Sequence, residues 1–115
     1  MRSTSKETLL ASLNVEGTGI MLFPEYLFFE PAFRRYLVKL ENLFGRFSGT
    51  LLKVGFSPPG SDRSVSSVPS YDDIAEFLEE IKDSYGESVD FSEFPVLLYK
   101  KSDGSPIVIK GVYAL

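Results

Sequence analysis

Phe33, Tyr36, Leu37, Leu40, Leu43, Phe44 and Phe47 fall on one side of a period of about 3.6 residues, with Arg34, Arg35, Lys39, Glu41 and Arg46 largely between them. This spacing predicts an amphipathic helix over 31–46. Pro31 suits its first turn, and Gly45 and Gly49 are placed to end it. Apolar segments flank it. Residues 20–29 are rich in aromatic and large aliphatic side chains and read as a strand that Pro24 makes irregular, bulged or at an edge. Residues 50–56 form a second, shorter apolar run. A strand, a long helix and a second strand in succession imply a parallel crossover, because a connection of that length is what parallel pairing requires.

The rest of the chain extends that unit. Ser70 is placed to cap a second helix with Asp72 and Asp73 in its first turn. Ile74, Phe77, Leu78, Ile81 and Tyr85 form its buried stripe, and Gly86 is its stop. Pro95 opens a strand over 96–99, residues 101–105 make a turn, and 107–113 form the last strand, giving a terminal hairpin. Thr4 and Glu7 have capping-box spacing ahead of Leu9, Leu10 and Leu13, which predicts a short helix over 4–13, and Gly17 and Gly19 mark a turn. The stretch 57–70, with three prolines, Gly60 and six serines, reads as a flexible surface loop in which Arg63 is either a feature of a modification or anion site or part of a plain connector. The fold class expected is α/β with a mixed α+β sheet. It has about four strands, a terminal antiparallel hairpin, two main amphipathic helices and a short N-terminal helix, in one domain over 1–115.

The chain has no cysteine and no histidine. Disulfides, thiolate metal sites, thiol nucleophiles, Ser-His-Asp triads and the usual zinc sets are therefore excluded. Carboxylates, lysine, arginine, tyrosine and serine remain, and no motif assembles them, so no catalytic residue, cofactor or metal is expected. The N-terminus lacks the apolar core of a signal peptide, and no run approaches the ~20 apolar residues of a membrane span. A cytoplasmic protein with no membrane association is the expectation.

Tyr85-Gly86, Phe94-Pro95-Val96-Leu97-Leu98-Tyr99-Lys100, Asp103-Gly104 and Val112 to Leu115, taken with the element order of 20–115, give the chain a resemblance to thioredoxin-like proteins. The resemblance implies that Pro95 is the cis proline preceding a strand, and that Phe94 and Pro95 lie beside the family's peptide-binding groove. It also sets Glu30-Pro31-Ala32-Phe33 where the family carries its redox cysteines, which implies a scaffold without thiol exchange. The family's final helix has no counterpart after the hairpin in these 115 residues. One sheet face is left for the N-terminal helix or a second copy to cover.

Charge is unevenly distributed. The formal net charge is −4, yet residues 71–93 hold nine acids against the single base Lys82. Asp72, Asp73, Glu76, Glu79, Glu80 and Asp83 are either a solvated helix face or a docking surface for a protein partner with a basic surface. The overall sign argues against direct nucleic-acid binding. Aromatics make up 14% of the chain, and Phe23, Tyr26, Phe28, Phe29 and Phe33 are crowded together. They either fill a core that has no tryptophan or form a patch for partners or for homodimers, with Phe28, Phe29 and Tyr113 as candidates for self-association. Three functions follow as expectations. The first is a non-catalytic protein-binding module, such as an adaptor or a small acidic inhibitor docking through 71–93. The second is a redox-inactive thioredoxin-like scaffold or assembly subunit forming a homo-oligomer. The third is a carboxylate-based enzyme, for which Glu76 and Glu80 share a helix face but lack a cleft.

Overall fold

The computed structural model of the protein describes residues 6–58, 69–86 and 88–111. Helix α1 (Lys6–Leu13) leads to strand β1 (Thr18–Pro24) and a 3-10 helix, Glu25–Phe29. Helix α2 (Pro31–Arg46), strand β2 (Thr50–Phe56) and helix α3 (Tyr71–Tyr85) follow. A 3-10 turn, Phe91–Glu93, precedes the hairpin of β3 (Val96–Lys100) and β4 (Pro106–Lys110). The four strands form one mixed sheet in the order β2-β1-β3-β4. β1 and β2 are parallel, in register from Thr18 opposite Thr50 to Pro24 opposite Phe56, with α2 as the crossover. β3 runs antiparallel to both β1 and β4. The peptide between Phe94 and Pro95 is cis.

Side-chain alternation divides the interior into two cores, one on each sheet face. Ile20 and Leu22 of β1, Val54 and Phe56 of β2, and Val96 and Leu98 of β3 point to the face covered by α1 and α3. There they meet Leu9, Leu13, Ile74, Phe77 and Ile81. The intervening Met21, Phe23, Leu51 and Leu97 point the other way, against Phe33 and Leu37 of α2 and Leu27 of the first 3-10 helix. Because β1 is buried along its whole length, its sequence is apolar throughout and does not alternate.

The local chemistry explains most of the element ends. Ser70 and Asp73 form a reciprocal capping box at the start of α3: the Ser70 hydroxyl accepts from the Asp73 amide at 3.2 Å, and the Asp73 carboxylate accepts from the Ser70 amide at 3.0 Å. Gly86 closes α3 in the left-handed region, φ 71°. At the hairpin, the Asp103 carboxylate accepts from the Ser105 amide and the Lys101 amide donates to the Ser105 carbonyl, both at 2.9 Å.

The fold departs from the sequence expectation at several points. β1 ends at Pro24, and residues 25–29 turn away as a 3-10 helix and do not extend the strand. Pairing with β3 stops at Leu22, so the missing amide of Pro24 leaves no ladder donor lost on that side. β1 is an inner strand, neither an edge nor bulged. Gly19 belongs to β1 and not to a turn, and Gly45 lies within α2. The left-handed residue after α2 is Ser48, φ 60°, followed by Gly49, whose amide donates to the Phe44 carbonyl at 2.7 Å. α1 packs beside α3, on the sheet face opposite α2. Thr4, Tyr113 and most of the serine-rich segment lie outside the described residues.

Candidate docking groove

On the face of α2 the described residues cover only half of the sheet. β1 and β2 lie under the helix, while β3 and β4 extend beyond it. The register sets Leu97 opposite Ile109 and Tyr99 opposite Ile107, so these apolar side chains share that face. They form the floor of a groove of about 930 Å³ whose wall is Tyr36, Leu40, Leu43, Phe44 and Phe47 of α2 and its C-terminus. The end of the groove near the α1–β1 turn carries Glu16 and Gly17, and Ser48 and Gly49 of the α2–β2 connection close it from the other side.

Phe44 sets the depth of the groove. Its ring lies over Gly19 of β1, where an added Cβ would come within 2.5 Å of the ring. Glycine at this strand position lets the ring settle against the backbone and meet Tyr99 edge-on, with centroids 5.8 Å apart and planes at 84°. Beyond Phe44 the wall faces solvent: Leu43 is 47% exposed and Phe47 78% exposed. Burial pushes the Tyr36 phenol above its ordinary value, so this group is a neutral hydroxyl at physiological pH.

Arg35, Lys39 and Arg46 form a row on α2 next to this wall. All three are exposed, and none takes part in the ion pairs formed among the described residues. Lys100 and Lys101 line the floor at the end that also carries Glu16 and Gly17, and the Lys100 ammonium donates to the Asn14 side-chain carbonyl at 3.4 Å. Glu41 faces β2 and pairs with Lys53 at 2.6 Å. Among the described residues, Glu16 is the acid in the groove lining, so the surroundings of the groove are basic although the chain is acidic.

The acids singled out in the sequence lie on the other side of the molecule, on α3. Asp72, Glu76, Glu79, Glu80 and Asp83 are exposed together. Lys6 of α1 bridges Glu80 at 3.2 Å and Glu76 at 4.0 Å, and Lys82 reaches Glu79 at 3.4 Å. Asp73 is half-buried in the helix cap. The acidic face is therefore partly compensated from within the chain.

Pro95 is buried, and Phe94 is half-buried in a cluster of rings with Phe56, Tyr71 and Phe91. Phe28 and Phe29 are 49% and 79% exposed beside α2, with Phe28 stacked against Phe23. Phe28 and Phe29 thus stand at the surface, while Phe23 and Phe33 of the same aromatic run are buried. The sequence marks Gly19 as part of a turn and does not single out Leu97, Tyr99 and Ile109 of β3 and β4 as a site. Their signal was present: β3 and β4 are apolar at successive positions, which marks strands needing cover on both faces. No helix among the described residues is long and apolar enough to cross a membrane. No family model, curated protein or solved structure matches the chain.

Proposed function

We infer that this chain is a non-catalytic protein-binding module and that its main docking surface is the half-covered sheet face. One observation carries this reading. A groove lined by Tyr36, Leu40, Leu43, Phe44, Leu97, Tyr99 and Ile109 stays open to solvent next to strongly exposed Phe47. A continuous apolar concavity of this size next to a polar rim is the usual form of a protein-recognition surface. The exposed acids of α3 are a second, separate feature, suited to steering a basic partner toward the opposite face.

The test is selection of random linear peptides from a display library on the immobilised full-length chain. The expected result is enrichment of sequences whose binding falls at least about tenfold when Leu43 and Phe47 are both changed to glutamate, a loss in the range of truncated interface anchors. Both residues face solvent, so the double variant retains its fold, which circular dichroism checks. Failure to enrich any sequence, or enrichment indifferent to the substitutions, overturns this reading.

A second reading, a redox-inactive thioredoxin-like scaffold, draws support from the strand order β2-β1-β3-β4, the parallel crossover through α2 and the closing hairpin. It is compatible with the first, since a scaffold can be a docking module. It becomes the preferred reading if the purified chain forms an oligomer that survives high salt and dissociates when Phe28 and Phe29 are changed to serine.

A further inference from the structure

The dimensions of the sheet specify what the groove lacks. Four strands about 4.8 Å apart span about 14 Å between the outer strand axes, and a helix with its side chains is about 10 Å across. Each face therefore has room for two helices side by side. Among the described residues, one face holds α1 and α3, while the other holds α2 alone, displaced toward β2. The empty half is bounded by a helix on one side and floored by Leu97, Tyr99 and Ile109, which is the setting of a helix packing on a sheet and against a neighbouring helix. Charge then selects the occupant. Arg35, Lys39 and Arg46 run along the wall at spacings that keep them on one stripe of α2, and Lys100 and Lys101 stand at the floor.

We propose that this groove receives an acidic amphipathic helix from a partner protein, a refinement that rests on the protein-binding reading above. The leucine or isoleucine stripe of the incoming helix sits on Leu97, Tyr99 and Ile109, and its flanking carboxylates meet Arg35, Lys39 and Arg46. A second copy of the chain fits poorly. Two such grooves facing each other would bring like-charged rims together. The acidic helix of the chain itself, α3, has its apolar stripe of Ile74, Phe77, Leu78 and Ile81 buried against the sheet, so its free face has nothing to fill an apolar groove.

The test uses the full chain and two fluorescein-labelled helical peptides of about 14 residues, about 21 Å long. Both carry leucines at i, i+3, i+4 and i+7 spacing, one with glutamate and the other with lysine at the flanking positions. Fluorescence anisotropy at low salt is expected to show saturable binding of the glutamate peptide, at least about tenfold tighter than the lysine twin, a ratio that shrinks as salt rises. Changing Arg35, Lys39 and Arg46 to glutamate is expected to reverse the preference. Changing Leu43 and Phe47 to glutamate is expected to abolish binding of both peptides. Equal binding of the two peptides, binding insensitive to Leu43→Glu and Phe47→Glu, or no binding of either overturns the proposal. So does a dimer in light scattering that dissociates with the same two substitutions, since the occupant is then another copy. The display selection separates the two levels. Enriched non-helical or basic peptides that still require Leu43 and Phe47 would sink the acidic-helix proposal and leave the protein-binding reading intact.

Discussion

Gly19 and Tyr85 are opposite cases of what a single group is worth in a packed site: at one an added methyl would clash, at the other a hydroxyl is buried without return. Gly19 carries no side chain because Phe44 occupies the space above it, and that ring in turn holds Tyr99 at the base of the groove. Gly19→Ala forces the ring to move. The expected cost is about 1–2 kcal/mol, in the range for overpacking a fitted contact, read as a lowered urea midpoint with an unchanged slope. A loss below about 0.5 kcal/mol would mean that the ring swings aside freely and that the groove has no fixed depth. Tyr85 is the opposite case. Its hydroxyl is buried at the end of α3 with no hydrogen-bond partner among the described residues, and burial pushes its pKa above the ordinary value. A buried polar group without a partner carries a desolvation cost and returns nothing. Tyr85→Phe is therefore expected to leave stability unchanged or raise it by up to about 1 kcal/mol. A clear fall in thermal midpoint would show that the hydroxyl has a partner after all.

At the scale of elements, two capping boxes hold the segment that joins the halves of the fold. Ser70→Ala removes the hydroxyl that accepts from the Asp73 amide and is expected to cost about 1 kcal/mol, measured by chemical denaturation. The second box closes the 3-10 turn before β3. The Glu93 carboxylate accepts from the Asp90 amide at 2.8 Å and from the Lys110 ammonium at 3.3 Å. The Asp90 amide, with Lys110 adding to it, holds the Glu93 carboxyl below its ordinary value of about 4.5. A carboxyl whose pKa is lowered on folding stabilises the fold above its unfolded pKa, and that contribution fades as pH falls through the folded value. Thermal midpoints between pH 7 and pH 3 are therefore expected to drop less steeply in Glu93→Gln than in the unaltered chain; parallel curves would remove Glu93 from the acid response. These elements also show what the sequence could disclose. Bounds of α2 and β2, the cap and stop of α3, and the terminal hairpin followed from periodicity and from Pro31, Ser70 and Gly86, because local chemistry decides them. The end of β1 at Pro24 did not, because residues 25–29 are as apolar as a strand and only the extent of pairing with β3 separates the two. The place of α1 beside α3 was equally hidden. Leu9 and Leu13 require an apolar surface, but nothing in them selects a sheet face.

The whole molecule has two unlike sides. One carries α1 and α3 with exposed acids; the other carries α2, basic residues and an open apolar groove. The arrangement predicts how the chain associates with itself. An end-on approach of acidic α3 to the basic rim of another copy is attractive at long range but offers no apolar surface to seat in the groove, so it lacks the burial that stable interfaces require. Such contacts are screened within about 10 Å at 0.1 M salt. Light scattering after size exclusion is therefore expected to give a monomer at physiological and high salt, with weak, concentration-dependent association only at low salt. Reversing Glu76, Glu79, Glu80 and Asp83 to lysine is expected to abolish that weak association, because the acidic side then carries the same sign as the groove rim. The charge-reversed chain also separates the two surfaces. If binding of the acidic helical peptide is unchanged in it while any basic partner is lost, the two faces act independently and the chain can bridge two proteins of opposite charge. If peptide binding falls as well, the faces are coupled through the sheet between them, and the molecule is better described as one binding surface with a long-range electrostatic bias. A dimer that persists at high salt in the unaltered chain would instead place Phe28, Phe29 or the groove itself in a self-interface, and would make assembly, not recognition of a foreign helix, the use of the open face.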